Sequence, residues 1–100
     1  MLAIGYTTKG EIKKFECSDG YLCCRSNDLV SLQISEGVKY VYCRNNLLSE
    51  LIIPEGVKYV YCINNKLTEL KLPESVIWLR CDKEIKGLDK LIGNIDIKLW

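Results

Sequence analysis

Residues 24–42 read CRSNDLVSLQISEGVKYVY, residues 43–61 read CRNNLLSELIIPEGVKYVY, and residues 62–80 read CINNKLTELKLPESVIWLR. Each segment opens on a cysteine, and Cys24, Cys43, Cys62 and Cys81 stand 19 residues apart. A fixed period of this length marks a solenoid, in which every unit buries its apolar face against its neighbours. The VKYVYC stretch alternates around Val41 and Cys43 with the period of two expected of a strand that has one buried face. Valine and tyrosine favour pleated structure. Pro54 and Pro73 lack the N–H that a central strand needs, so they belong to the return between strands. The returns are short and carry no helical apolar stripe, which predicts turns or short 3₁₀ pieces there.

Lined up, one unit is Val38-x-x-Val41-x-Cys43-x-x-Asn46-x-Leu48-x-x-Leu51-x-Ile53-Pro54. The next is Val57-x-x-Val60-x-Cys62-x-x-Asn65-x-Leu67-x-x-Leu70-x-Leu72-Pro73. Leu22, Cys24, Asn27, Leu29, Leu32 and Ile34 supply an earlier unit, and Val76, Leu79 and Cys81 begin a later one. Asn27, Asn46 and Asn65 form a column of their own. A buried asparagine at a bend can satisfy backbone donors and acceptors on its own coil and the next, so the column reads as structural. The whole pattern resembles the leucine-rich repeat, LxxLxLxxNxLxxLxLP, over residues 19–83. The resemblance implies a parallel sheet on the concave side of an arc, irregular convex returns, a ladder of asparagines, and protein or peptide binding on the concave sheet.

The motif decays at both ends. LAIGY and EIKKFEC flank TTKGE, which predicts a β-hairpin. After Cys81 the asparagine position holds Glu84 and the leucine position holds Lys86. Residues 84–92 read as a short helix or turn. Ile95, Ile97 and Leu99 then alternate with Asp96, Lys98 and Trp100, as in a final strand pairing after that of Cys81. Terminal units of a solenoid must cover an otherwise open core, so atypical ends are expected caps. The expected fold is therefore mainly β: a single leucine-rich-repeat solenoid over residues 1–100. Residues 1–18 form an N-terminal hairpin cap, 19–83 the repeats, and 84–100 a cap of short helix or turn plus strand.

Several function classes lose support on composition. The net charge is +1, which gives no strong steering toward nucleic acid or membrane. No apolar run approaches a membrane span, and MLAIGYTTKG lacks the basic start of a secretory signal. A cytoplasmic chain is expected, in the host cytoplasm if it is a viral or secreted effector. The cysteines do not suit disulfides, because in-register positions of parallel strands lie about 4.8 Å apart with parallel side chains. They do not suit zinc either, whose tetrahedral ligands converge on one point. Four of them read as small buried hydrophobes, and Cys17 and Cys23 as the exposed thiols. No cofactor or metal site is expected. With no histidine, no phosphate-binding glycine loop and no nucleophile–base pair, the chain reads as non-catalytic.

The buried columns fix what points outward. Tyr21, Tyr40, Tyr59 and Trp78 form one exposed column of the concave face, with Cys23, Tyr42, Tyr61 and Arg80 beside it. Lys39 and Lys58 flank these on one side, and Arg25 and Arg44 on the other, in a column continued by Ile63 and Asp82. Glu36, Glu50, Glu55, Glu69 and Glu74 gather on the convex return, diluted by Lys66 and Lys71. Tyrosine, tryptophan and arginine are enriched at binding hot spots, and contiguous exposed aromatic area marks interaction surfaces. Cross-strand tyrosine pairs also stabilise a sheet by themselves. The expected partner set is Tyr21, Arg25, Lys39, Tyr40, Tyr42, Arg44, Lys58, Tyr59, Tyr61, Trp78 and Arg80, facing a protein or peptide with an acidic patch. Single-stranded nucleic acid or glycan stacked on the same rings is the weaker alternative. Self-association through an open terminal strand is another.

Overall fold

The computed structural model describes residues 2–88 and 95–100. Its eight strands are β1 (Leu2–Thr7), β2 (Ile12–Glu16), β3 (Tyr21–Cys23), β4 (Leu29–Ile34), β5 (Tyr40–Tyr42), β6 (Tyr59–Tyr61), β7 (Trp78–Cys81) and β8 (Asp96–Leu99). No α-helix occurs among the described residues. Strands β3, β5, β6, β7 and β8 pair side by side, all parallel, in one five-stranded sheet. The chain is thus a β-solenoid of about four turns with a 19-residue period.

The register places equivalent residues side by side: Leu22 on Val41, Val41 on Val60, Val60 on Leu79, and Leu79 on Ile97. One apolar column fills the interior. Val38 and Val57, Leu48 and Leu67, and all four period cysteines are buried within it. Each fully buried valine or leucine contributes about 1.5–3 kcal/mol. The molecule measures 37 × 28 × 16 Å, thin enough that this shared column is the core.

The bends between strand and return are built by polar residues. Asn45 and Asn64 take left-handed backbone (φ 59° and 61°), a region asparagine enters more easily than most residues. The next residue in each coil, Asn46 or Asn65, turns inward. Asn46 Oδ1 accepts the backbone N–H of Asn27 (3.0 Å) and Leu29 (3.1 Å), while Nδ2 donates to the carbonyls of Cys24 and Cys43 (both 3.0 Å). Asn65 repeats the pattern one coil on, accepting from Leu48 and donating to Cys43 and Cys62. The asparagine ladder expected from the sequence is present. Lys13 of β2 reaches Asn27 Oδ1 at 3.1 Å and closes its first rung.

The hairpin predicted at the start forms, with β1 antiparallel to β2. The returns depart from expectation in one place. The first, β4, is a six-residue strand antiparallel to β1, in place of turns or 3₁₀ pieces. The physical reason is the neighbouring edge: β1 offers free backbone partners to an extended segment whose Leu29 and Leu32 can still point inward. Later returns have no such edge. Among the described residues they form no ladder, only the single bridges of Ile52 with Lys71 and Glu69 with Lys86, beside separate hydrogen bonds such as Lys66 N–H to the Leu48 carbonyl (2.8 Å).

After β7 the chain turns at Lys83–Glu84, buries Ile85 and bridges through Lys86. The rest of the segment read as a short helix or turn, residues 89–92, lies outside the described residues. Strand β8 then pairs parallel to β7 in the position expected for it.

Candidate functional site: the concave aromatic face

Period-two geometry sends the side chains flanking Val41 and Val60 to the outer face of the sheet. Parallel register places each over its equivalent one coil away: Tyr21 beside Tyr40, Tyr40 beside Tyr59, and Tyr59 beside Trp78. The first three rings lie face to face. Tyr21 and Tyr40 have centroids 4.0 Å apart with 4° between planes, and Tyr40 and Tyr59 4.8 Å with 6°. Toward the C-terminal end the stack opens: Trp78 tilts 55° to Tyr59 and lies at 20° to Tyr61, 6.0 Å away. Tyr42 and Tyr61 form the second column, tilted 53° to each other.

Stacking has a chemical consequence. The faces of Tyr40 are covered on both sides, so that ring offers solvent only its edge and its hydroxyl. Tyr21 is exposed at the end of the row, and its phenol pKa is raised, first by the hydrogen bond with Tyr40 and then by that phenol's charge. Burial raises the Tyr42 phenol.

The basic residues divide into two groups. Arg25, Lys39 and Lys58 are exposed, and Arg44 is half-buried with its guanidinium carbon 5.6 Å from the centroid of the Tyr61 ring. None of the four has a carboxylate within salt-bridge distance among the described residues. Arg80, expected beside them as a partner-binding side chain, is instead buried at 7% exposure. Its guanidinium lies 3.9 Å over Trp78, donates to the carbonyls of Leu79 (2.9 Å) and Asp96 (3.0 Å), and pairs with the Asp96 carboxylate (3.4 Å). The arrival of β8 causes this: Asp96 enters the column of Trp78, and Arg80 folds across to meet it.

Asp82 also departs from its expected place as a charge on this face. Its Oδ1 accepts the N–H of Asn64 (2.9 Å) and its Oδ2 that of Asn65 (3.1 Å), so it caps the ladder. The sequence reading missed Asp96, Lys98 and Trp100 as members of the face. Register carries them there: Asp96 pairs with Trp78 and Lys98 with Arg80, and the Trp100 ring approaches Tyr61 at 6.5 Å. The alternation of Ile95, Ile97 and Leu99 was the signal that could have placed the first two.

Cys23, Arg25, Tyr42, Arg44, Tyr61 and Trp78 line an open hollow of about 280 Å³ between the two columns and the arginines. Cys23 is exposed at its edge and Cys17 is half-buried. The period thiols are inert by comparison: burial pushes Cys24 up to about 12 and Cys81 up to about 11, and raises Cys43 and Cys62 as well. Among the described residues no group of three or more His, Cys, Asp or Glu side chains is placed to hold a metal ion. Comparison with protein-family models, with curated proteins and with solved structures finds no match to this chain.

Proposed function

We propose that the chain is a non-catalytic binding module that docks a protein or peptide segment on its concave aromatic face. The observation that carries this reading is the combination on one sheet of half-exposed tyrosine edges with four basic side chains that have no acidic partner among the described residues. Ring edges and phenol hydroxyls suit peptide carbonyls, carboxylates and aliphatic side chains. Base or sugar stacking needs ring faces, and those of Tyr40 are taken by its neighbours. That asymmetry favours a protein or peptide over nucleic acid or glycan.

Membership of the leucine-rich-repeat type is part of the same proposal. Supporting it are the buried Leu29, Leu48 and Leu67, the asparagine ladder, and the parallel strands on one side of each coil. Six free thiols support a reducing compartment such as the cytoplasm. Self-association is the second reading, favoured by the outer position of β8 and the exposure of Leu99. Light scattering on concentrated protein tests it, and a mass that stays monomeric removes it.

The main reading is tested by selecting binders from a random peptide display library and mapping them by backbone amide shifts. Shifts concentrated on β5 and β6, abolished by Tyr42→Ala with Tyr61→Ala, are the expected result. Binders that map only to the convex returns, or no binders at all, would overturn it.

A further inference from the structure

We infer that the hollow between Arg25, Arg44 and the rings of Tyr42, Tyr61 and Trp78 is a carboxylate subsite, which reads an acidic side chain of a docked peptide. The inference rests on the binding reading above and names the chemistry of one part of that face.

Three observations carry it. Arg25 and Arg44 occupy equivalent positions on adjacent coils, joined through the hydrogen bond from Ser26 N–H to the Arg44 carbonyl. Two like charges one strand apart repel, and no carboxylate among the described residues stands between them. The two carboxylates nearest in the sheet pattern are already engaged, Asp96 by Arg80 and Asp82 by the N–H groups of Asn64 and Asn65. The pair therefore presents guanidinium forks, which match a carboxylate in two parallel hydrogen bonds, to an outside ligand.

The floor strengthens such a contact. Tyr42, Tyr61 and Trp78 are half-buried aromatic surface, and a charge pair formed over it is less screened than one in open water. The Arg44 guanidinium already rests by the Tyr61 ring, so less side-chain freedom is lost on binding. Size selects the ligand class. The hollow, about 280 Å³, lies just below the ~300–1,000 Å³ of small-molecule pockets, and it is open. It suits one or two side chains of a polymer that continues across the sheet. Glutamate or aspartate beside an aromatic or aliphatic residue satisfies both the forks and the floor.

The test uses the full chain and three synthetic pentapeptides of alternating glutamate and tyrosine, glutamine and tyrosine, and lysine and tyrosine, with single-stranded oligothymidylate as a fourth probe. Side-chain Nε–H resonances of Arg25 and Arg44 are followed in titrations at low and moderate salt. The glutamate peptide is expected to shift both resonances and to weaken with salt, and the glutamine and lysine peptides to bind less tightly. Arg25→Gln with Arg44→Gln is expected to cost about tenfold in affinity for the glutamate peptide. Lys39→Gln with Lys58→Gln, which removes equal charge elsewhere on the face, is expected to cost about twofold or less. Unchanged melting temperatures for both variants show that folding is intact.

Equal losses in the two double variants would overturn the subsite, because general charge would then suffice. Tighter binding of oligothymidylate through the same arginines would overturn the peptide assignment. If library-selected peptides map to β5 and β6 while the glutamate peptide leaves Arg25 and Arg44 unshifted, this inference falls and the broader reading stands. If nothing binds the concave face, both fall.

Discussion

The Asp82 carboxylate accepts the backbone N–H of Asn65 at 3.1 Å, and so stands where a fourth ladder residue would otherwise serve the coil before it. Asn46 Oδ1 does the same for Asn27 at 3.0 Å. The difference is charge and reach: Asp82 also takes the Asn64 N–H at 2.9 Å, so one side chain holds two successive donors at the bend. Asp82→Ala is expected to lose about 1–3 kcal/mol, chiefly because the half-buried Asn65 N–H loses a charged acceptor, while the Asn64 N–H is exposed and can turn to water. Asp82→Asn keeps one oxygen and should lose less. Urea unfolding of the two variants checks the order, and equal stability of wild type and Asp82→Ala would refute the capping role.

Asn46 makes the larger demand on the fold. It is buried and its side chain serves five backbone groups on two coils. Asn46→Ala leaves several of these without partners, with an expected loss on the order of 3–5 kcal/mol. Asn27→Ala is expected to cost less, since Asn27 is half-buried and, among the described residues, its oxygen meets only the Lys13 amine. Comparing the two melting curves tests the gradient along the ladder.

The buried thiols give a pH dependence with a definite sign. Their pKa values are raised above the ordinary 9.0 by burial, to about 12 for Cys24 and about 11 for Cys81. Below pH 9 both folded and unfolded chains keep these protons. Above it the unfolded chain releases them and the folded chain does not, so stability falls as pH rises from about 9 toward 11–12. Urea midpoints measured at pH 8 and pH 10.5 should show a lower value at the higher pH. A thiol reagent on the native protein at pH 8 should modify Cys23 first and Cys17 more slowly, sparing the four period cysteines until unfolding.

The spacing of those cysteines made most of the fold legible. Because Cys43 and Val41 must point inward, Tyr42 and Tyr40 must point outward, and parallel register followed from the identical period. What stayed hidden depends on partners that lie far along the chain or outside the repeat. Nothing local to LVSLQI distinguishes a strand from an irregular return, and only the edge of β1 makes it β4. Arg80 looks like Tyr42 and Tyr61 by position, yet Asp96 draws it down onto Trp78. Asp82 looks like a continuation of Arg25 and Arg44, and instead serves the Asn65 N–H, one donor that the missing asparagine would have served, together with the Asn64 N–H.

Gly5 of β1 records how closely the cap presses on the first coil. A Cβ added there would sit 2.7 Å from Leu29 Cδ2 and 3.3 Å from Phe15 Cε2. Leu29 is fully buried, so it has little room to yield. Gly5→Ala is expected to lose about 1–3 kcal/mol by overpacking. Leu29→Val in the same chain removes the crowding atoms and should recover part of that loss, giving a favourable coupling in a double-mutant cycle. Additive effects of the two substitutions would show that the cap does not meet the coil at this point.

The tyrosine row stabilises the sheet and offers a surface, and substitution at Tyr40 separates the two roles. Its ring lies between Tyr21 at 4.0 Å and Tyr59 at 4.8 Å, so Tyr40→Ala removes two stacked contacts. Each is worth about 0.5–1.5 kcal/mol beyond its buried area, which sets an expected loss of about 1–3 kcal/mol. Tyr40→Phe keeps both contacts and deletes only the hydroxyl. Its expected cost is well below that of Tyr40→Ala, because no stacked contact is lost. Peptides selected on the concave face should bind Tyr40→Phe more weakly than wild type if the hydroxyls are the contact points, although its stability barely changes. Weakened binding with preserved stability assigns the row to recognition. Full binding by Tyr40→Phe, together with a large stability loss in Tyr40→Ala, assigns this tyrosine to the sheet alone.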